Sequence, residues 1–102
     1  MSNGAGAPVW EQPPYATCAS TSTVYAKAIT IPNFTPVAGK HIYVKFSNAS
    51  YSHVNTAINL SVNGVTNAVY QNGKAVTGTT MYAWLANDIV EFMFDGSYWH
   101  II

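Results

Sequence analysis

The last fifteen residues, Asp88 to Ile102, constrain the fold most strongly. They read as two short apolar strands joined through Asp95-Gly96, and an Asp-Gly pair between alternating apolar residues is a strong hairpin signal because both central residues of a type I′ turn need positive φ. A two-residue turn places Phe94 opposite Ser97, Phe92 opposite Trp99 and Val90 opposite Ile101 on one face, which is therefore predicted to be core. Met93, Glu91 and Ile89 then oppose Tyr98, His100 and Ile102 on the other face, setting an acid beside an imidazole. The sequence as given is thus expected to end inside a sheet.

The same grammar runs through the rest of the chain. His41 to Ser47 alternates, with Ile42, Val44 and Phe46 on one face and Tyr43 and Lys45 on the other. Ile58, Leu60 and Val62 alternate up to Asn63-Gly64, a second type I′ candidate that leads into Val65 to Tyr70, and Asn72-Gly73 is a third. Val24 to Ile31 gathers β-branched residues before Pro32-Asn33 and the stretch from Pro36 to Gly39 interrupt it. Asn48 to Asn55 is polar and reads as a loop. Helical spacing is missing; the best helical or irregular stretch is Thr79 to Asn87, and Ser20 to Tyr25 has room for one turn. Residues 1–14 contain three of the five prolines and read as a linker or N-terminal arm, with Trp10 an aromatic suited to insertion into a neighbour. The expected fold is all-β: a single antiparallel β-sandwich over residues 15–102.

Composition excludes several function classes. The chain has four Lys and Arg residues together, all of them lysine, balanced by four acids, and charged residues make up only 8% of it. A phosphate backbone demands a basic face, so no nucleic-acid partner is expected. The surface must instead be built from Asn, Ser, Thr, Gly and Tyr, which suits assembly into larger particles or contact with sugars. No apolar run approaches the ~20 residues of a membrane span, so no membrane insertion is expected, and the N-terminus lacks the regions of a signal peptide. Cys18 is the only cysteine, which rules out an intrachain disulfide and points to a buried or interface thiol. His41, His53 and His100 show no metal-ligand spacing, so no metal or cofactor is expected; three copies of one histidine around a threefold axis are the alternative. The acids Asp88, Glu91 and Asp95 crowd one hairpin and make a poor glycosidase pair, so no catalytic residue is assigned and the chain is not read as an enzyme.

Four segments taken in order carry a resemblance. Tyr15-Ala-Thr-Cys18, Gly39-Lys-His-Ile-Tyr-Val-Lys-Phe-Ser-Asn48, Ile58-Asn-Leu-Ser-Val-Asn-Gly64 and Phe92-Met-Phe-Asp-Gly-Ser-Tyr-Trp99 resemble a module of tail, baseplate and fibre proteins of phages that infect Gram-positive bacteria, and of related prophage structural proteins. The resemblance implies a C-terminal β domain, usually trimeric around a fibre axis, that works in the virion with other tail or baseplate proteins and helps the particle attach to its host. It supplies no catalytic residues and no fixed receptor site.

The receptor site must therefore come from the residues. Aromatics make up 14% of the chain, and Tyr43, Tyr51, Tyr70, Tyr82, Trp84 and Tyr98 fall outside the predicted core. Sugars stack their C–H faces on such rings while amide side chains bond the hydroxyls. Packing between subunits of a homotrimer is the preferred role for Tyr43 and Tyr98. Tyr51 and His53 in the polar loop, with Trp84, are the expected ligand contacts. The resulting reading is a tail-fibre or baseplate domain that assembles and binds host cell-surface saccharide. Its rivals are a trimerisation or spacer module without a receptor and a carbohydrate-binding module of an enzyme.

Overall fold

The computed structural model describes residues 14–80 and 83–102. Over these residues the protein is all-β, with eight strands: β1 (Tyr15–Cys18), β2 (Ala26–Ile29), β3 (His41–Phe46), β4 (Asn59–Val62), β5 (Val65–Gln71), β6 (Lys74–Ala75), β7 (Ile89–Phe94) and β8 (Trp99–Ile101). One sheet runs in the order β1-β3-β7-β8-β5-β4-β2, and β6 adds to β5. Trp10 and Tyr82 lie outside the described residues.

The sheet is mixed where an antiparallel sandwich was expected. β1 runs parallel to β3, β2 to β4, and β5 to β8. Chain length explains its curvature. β1 and β2 sit at opposite ends of the strand order, yet only residues 19–25 connect them. Seven strands laid flat would separate the two ends by about 29 Å at the usual inter-strand spacing. A connection of that length spans about 27 Å only when fully extended. The sheet instead curls until β1 and β2 touch, giving a nearly closed barrel.

Strand alternation decides what enters this barrel. Ile42, Val44, Phe46, Ile58, Leu60, Val62, Val69, Phe92 and Trp99 are all buried. Burying each such side chain contributes roughly 1.5–3 kcal/mol. Cys18 is buried as a free thiol. Lys27 also points inward from β2 and is buried, its Nζ donating to the Thr21 carbonyl at 2.8 Å. Burial pulls the Lys27 ammonium below the ordinary lysine value, partly opposed by the nearby Cys18 thiol. An inward lysine on a terminal strand also discourages pairing with a foreign edge.

The hairpins divide into two kinds. Asn63-Gly64 and Asn72-Gly73 form two-residue turns with positive φ at both positions, 52° and 86° in the first and 53° and 78° in the second, closed by the Val62–Val65 and Gln71–Lys74 pairs. At the third turn Gly96 has positive φ, 105°, and Asp95 does not. The Asp95 carboxylate accepts hydrogen bonds from the Ser97 and Tyr98 amides at 2.7 and 2.6 Å, so the loop widens to residues 95–98. The observed pairs are consequently Phe94–Trp99, Met93–His100 and Phe92–Ile101, two residues away from the predicted register. Because the slip is an even number, every side chain stays on its predicted face. Phe94, not Phe92, lies against Trp99, with ring centroids 4.8 Å apart.

Candidate functional site

The loop from Asn48 to Asn55 leaves β3 at one end of the barrel and carries Tyr51 and His53, two of the three expected ligand contacts. Their rings meet edge to face with centroids 4.3 Å apart. Tyr51 is half-buried and His53 exposed. His53 holds φ at 66°, a left-handed conformation that costs a non-glycine residue about 1–2 kcal/mol and persists only where surrounding bonds impose it.

Those bonds come from three directions. Ser50 is buried, its amide donates to the Trp84 carbonyl at 3.1 Å, and its hydroxyl accepts from the Trp84 amide at 3.2 Å. At the start of the loop the Asn48 side-chain amide donates to the Ser20 carbonyl at 3.2 Å, while the Ser22 hydroxyl donates to the Ala49 carbonyl at 2.6 Å. Farther along, the Ser52 amide donates to the Gly78 carbonyl at 2.9 Å, and the Gly78 amide donates to Thr56 at 3.0 Å. The Tyr25 and Ser52 hydroxyls lie 3.1 Å apart. Gly78 is indispensable for steric reasons, since a Cβ there would collide with the Val54 carbonyl oxygen and the Ser52 hydroxyl. No turn dipeptide marks Gly78 in the sequence, so its role emerges only from the approach of two distant loops.

Trp84, the third expected contact, is a core residue at 2% exposure. Its ring stacks on Phe46 at 4.0 Å and meets Phe92 edge-on at 6.3 Å. Its indole Nε1 donates to the Asn48 carbonyl at 3.2 Å. The irregular segment around it offers no periodicity that would reveal its facing. It is bonded to Asn48 and Ser50 of the Asn48–Asn55 loop and, being buried, is unavailable to a ligand.

The outward face of β1, β3, β7, β8 and β5 gathers the remaining polar aromatics. One row runs His41, Met93, His100, Tyr70 across neighbouring strands, and a second runs Tyr15, Tyr43, Glu91. The expected Glu91–His100 contact is replaced by two others: His41 Nδ1 lies 2.7 Å from Glu91 Oε2, and His100 Nε2 lies 2.6 Å from Asp95 Oδ2. The two-residue slip of the hairpin causes this exchange. The Tyr98 amide, then the His100 side chain and the Ser97 amide, hold the Asp95 carboxyl down to about 2. Tyr70 and Tyr98 stack at 4.4 Å, and burial together with the Tyr98 phenol raises the Tyr70 hydroxyl above its usual value. Exposed apolar groups border this face, with Ile89 at 59%, Ile102 at 64% and Tyr98 at 40% exposure.

Among the described residues no three His, Cys, Asp or Glu side chains cluster as metal ligands, and no helix is long and apolar enough to cross a membrane. Comparison with protein-family models, curated proteins and solved structures finds no match. The geometry must therefore carry the functional argument. The arrangement presents a braced aromatic pair at one end of the barrel and a half-apolar sheet face on its side. A ring edge beside an imidazole, set in a fixed loop, has the chemistry to stack a sugar and bond its hydroxyls.

Proposed function

We propose that this domain is a phage or prophage tail-fibre or baseplate module that works as a homotrimer in the virion, joining other tail proteins and attaching to host cell-surface saccharide through Tyr51 and His53. The observation that supports this reading best is the pre-organised loop: His53 is held in a costly left-handed conformation by bonds from Trp84, Gly78 and Tyr25. Strain maintained at an exposed aromatic position fits recognition better than it fits simple connection of strands. Each site is shallow, so millimolar to high-micromolar affinity is expected, with useful strength coming from several copies per particle.

The exposed Ile89, Ile102 and Tyr98 favour a second reading on the same scaffold, in which the outer sheet face packs against neighbouring subunits and the domain is a trimerisation or spacer module without a receptor. Light scattering tests the shared element, with a trimer expected at micromolar concentration. A pull-down of labelled protein on host cells or purified wall polysaccharide separates the two readings. Binding lost in Tyr51→Ala and His53→Ala variants that remain folded supports receptor attachment. Indifference of every host surface to the intact trimer leaves the spacer reading.

A further inference from the structure

The Thr77–Thr80 segment is a wall shared by two features. On one side Gly78 and Thr79 grip the Tyr51–His53 loop, the Thr79 hydroxyl donating to Asn55 Oδ1 at 3.4 Å. On the other side Thr80 lines a cleft of about 490 Å³ whose remaining walls are Gln71, Asn72, Lys74, Ala75 and Val76 of the β5–β6 hairpin. That volume falls within the ~300–1,000 Å³ typical of small-ligand sites.

From the chemistry of this cleft we infer a second saccharide subsite, selective for sugars that carry a negative charge such as uronic acids. The exposed Ala75 methyl, next to buried Val76, offers apolar surface for a sugar's C–H face. The Gln71 and Asn72 amides each supply donors and an acceptor, which matches vicinal hydroxyls. Among the described residues lining the cleft, Lys74 is the one that carries a charge, and no carboxylate accompanies it. The Gln71, Asn72 and Lys74 side chains are not engaged by any other described residue. The two-residue turn, with both Asn72 and Gly73 at positive φ, fixes the backbone from which they project. A neutral sugar would leave the ammonium without a partner, whereas a carboxylate would pair with it while the amides bond the ring hydroxyls.

The subsite extends the saccharide reading of the adjacent loop and rests on it for its biological meaning, but it is separately testable. Amide chemical shifts of the 102-residue chain are followed by NMR during titration with a galacturonic acid trimer and, in parallel, with the neutral galactose trimer. The acidic trimer is expected to shift amides of residues 71–76 and 80 and to bind more tightly than the neutral one. Lys74→Gln should weaken the acidic trimer about threefold to fivefold, the upper part of the range for one exposed ion pair, and leave the neutral trimer unchanged. Raising salt from about 20 mM to about 500 mM should weaken only the acidic trimer. Equal affinity for the two trimers, or indifference to Lys74→Gln, overturns the charge selectivity. Absence of any shift at residues 71–76 and 80 overturns the subsite. If host polysaccharide still binds through Tyr51 in that case, the attachment reading survives; loss of host binding in Tyr51→Ala together with an intact cleft response would locate recognition at both places.

Discussion

The two Asn-Gly turns have nearly the same backbone and opposite employment of their asparagines. Asn63 is stitched into the fold: its Oδ1 accepts from the Ile31 amide at 2.8 Å, and its Nδ2 donates to the Ile31 and Phe34 carbonyls at 2.8 and 2.9 Å. Asn72, at almost the same φ, faces the open cleft instead. One turn clips the β2–β3 connection to the barrel, and the other leaves its amide available. A local motif thus specifies chain reversal, while its surroundings decide whether the side chain is tied into the fold or left facing an open cleft. The Asp95 turn is a third outcome, in which the side chain is spent on the turn's own amides and the loop widens.

Substitutions sharpen this comparison in order of expected size. The largest effect belongs to the anchor beside the wide turn: if core packing rather than turn geometry holds the β7–β8 register, Trp99→Ala should lose about 3–5 kcal/mol in denaturant melts. A change of less than one kcal/mol would return that role to Asp95-Gly96. Asn63→Ala should cost about 2–4 kcal/mol, because it removes three hydrogen bonds and leaves the amide of buried Ile31 without its acceptor, while the Ile31 carbonyl keeps the Phe34 amide. Asn72→Ala should cost about 1 kcal/mol, reflecting only the left-handed backbone. Equal losses in these two variants, measured side by side by thermal unfolding, would erase the distinction drawn between the turns.

The smallest expected effect concerns acid. Asp95 has its carboxyl held to about 2 against an ordinary 3.8, so in the fold it releases its proton more readily than in the unfolded chain. Its contribution to stability is present above pH about 4 and is lost as the pH falls toward 2. Asp95→Asn should flatten the acid limb of a stability profile in that window while leaving the profile near neutrality parallel to the parent. An unchanged acid limb would mean that the amides of Ser97 and Tyr98 do not depend on the charge they face.

Strand faces were legible because alternation needs only neighbouring residues: Ile42, Val44 and Phe46, then Ile58, Leu60 and Val62, enter the core as their spacing demands. The loop carrying Tyr51 and His53 was legible for the same local reason, as a polar interruption between apolar runs. Trp84 was misread because an irregular segment has no period from which to infer facing. Gly78 was invisible because its role depends on Val54 and Ser52, far away along the chain. The Glu91–His100 pairing failed through one local choice, the preference of the Asp95 carboxylate for two backbone amides over a tight turn.

By itself, then, the sequence determined most strands, the inward faces of the alternating apolar runs and the positions of the Asn-Gly reversals, since each follows from steric and hydrophobic preferences acting over a few residues. β1 (Tyr15–Cys18) and the inward facing of Lys27 and Trp84 were not among them. The tertiary structure decided the rest. Parallel pairing of β1 with β3, β2 with β4 and β5 with β8, the curl that brings β1 to β2, and the partners of His41 and His100 all depend on contacts between distant segments. Such contacts are fixed by chain connectivity and the filling of a shared core, and no short window of sequence contains that information.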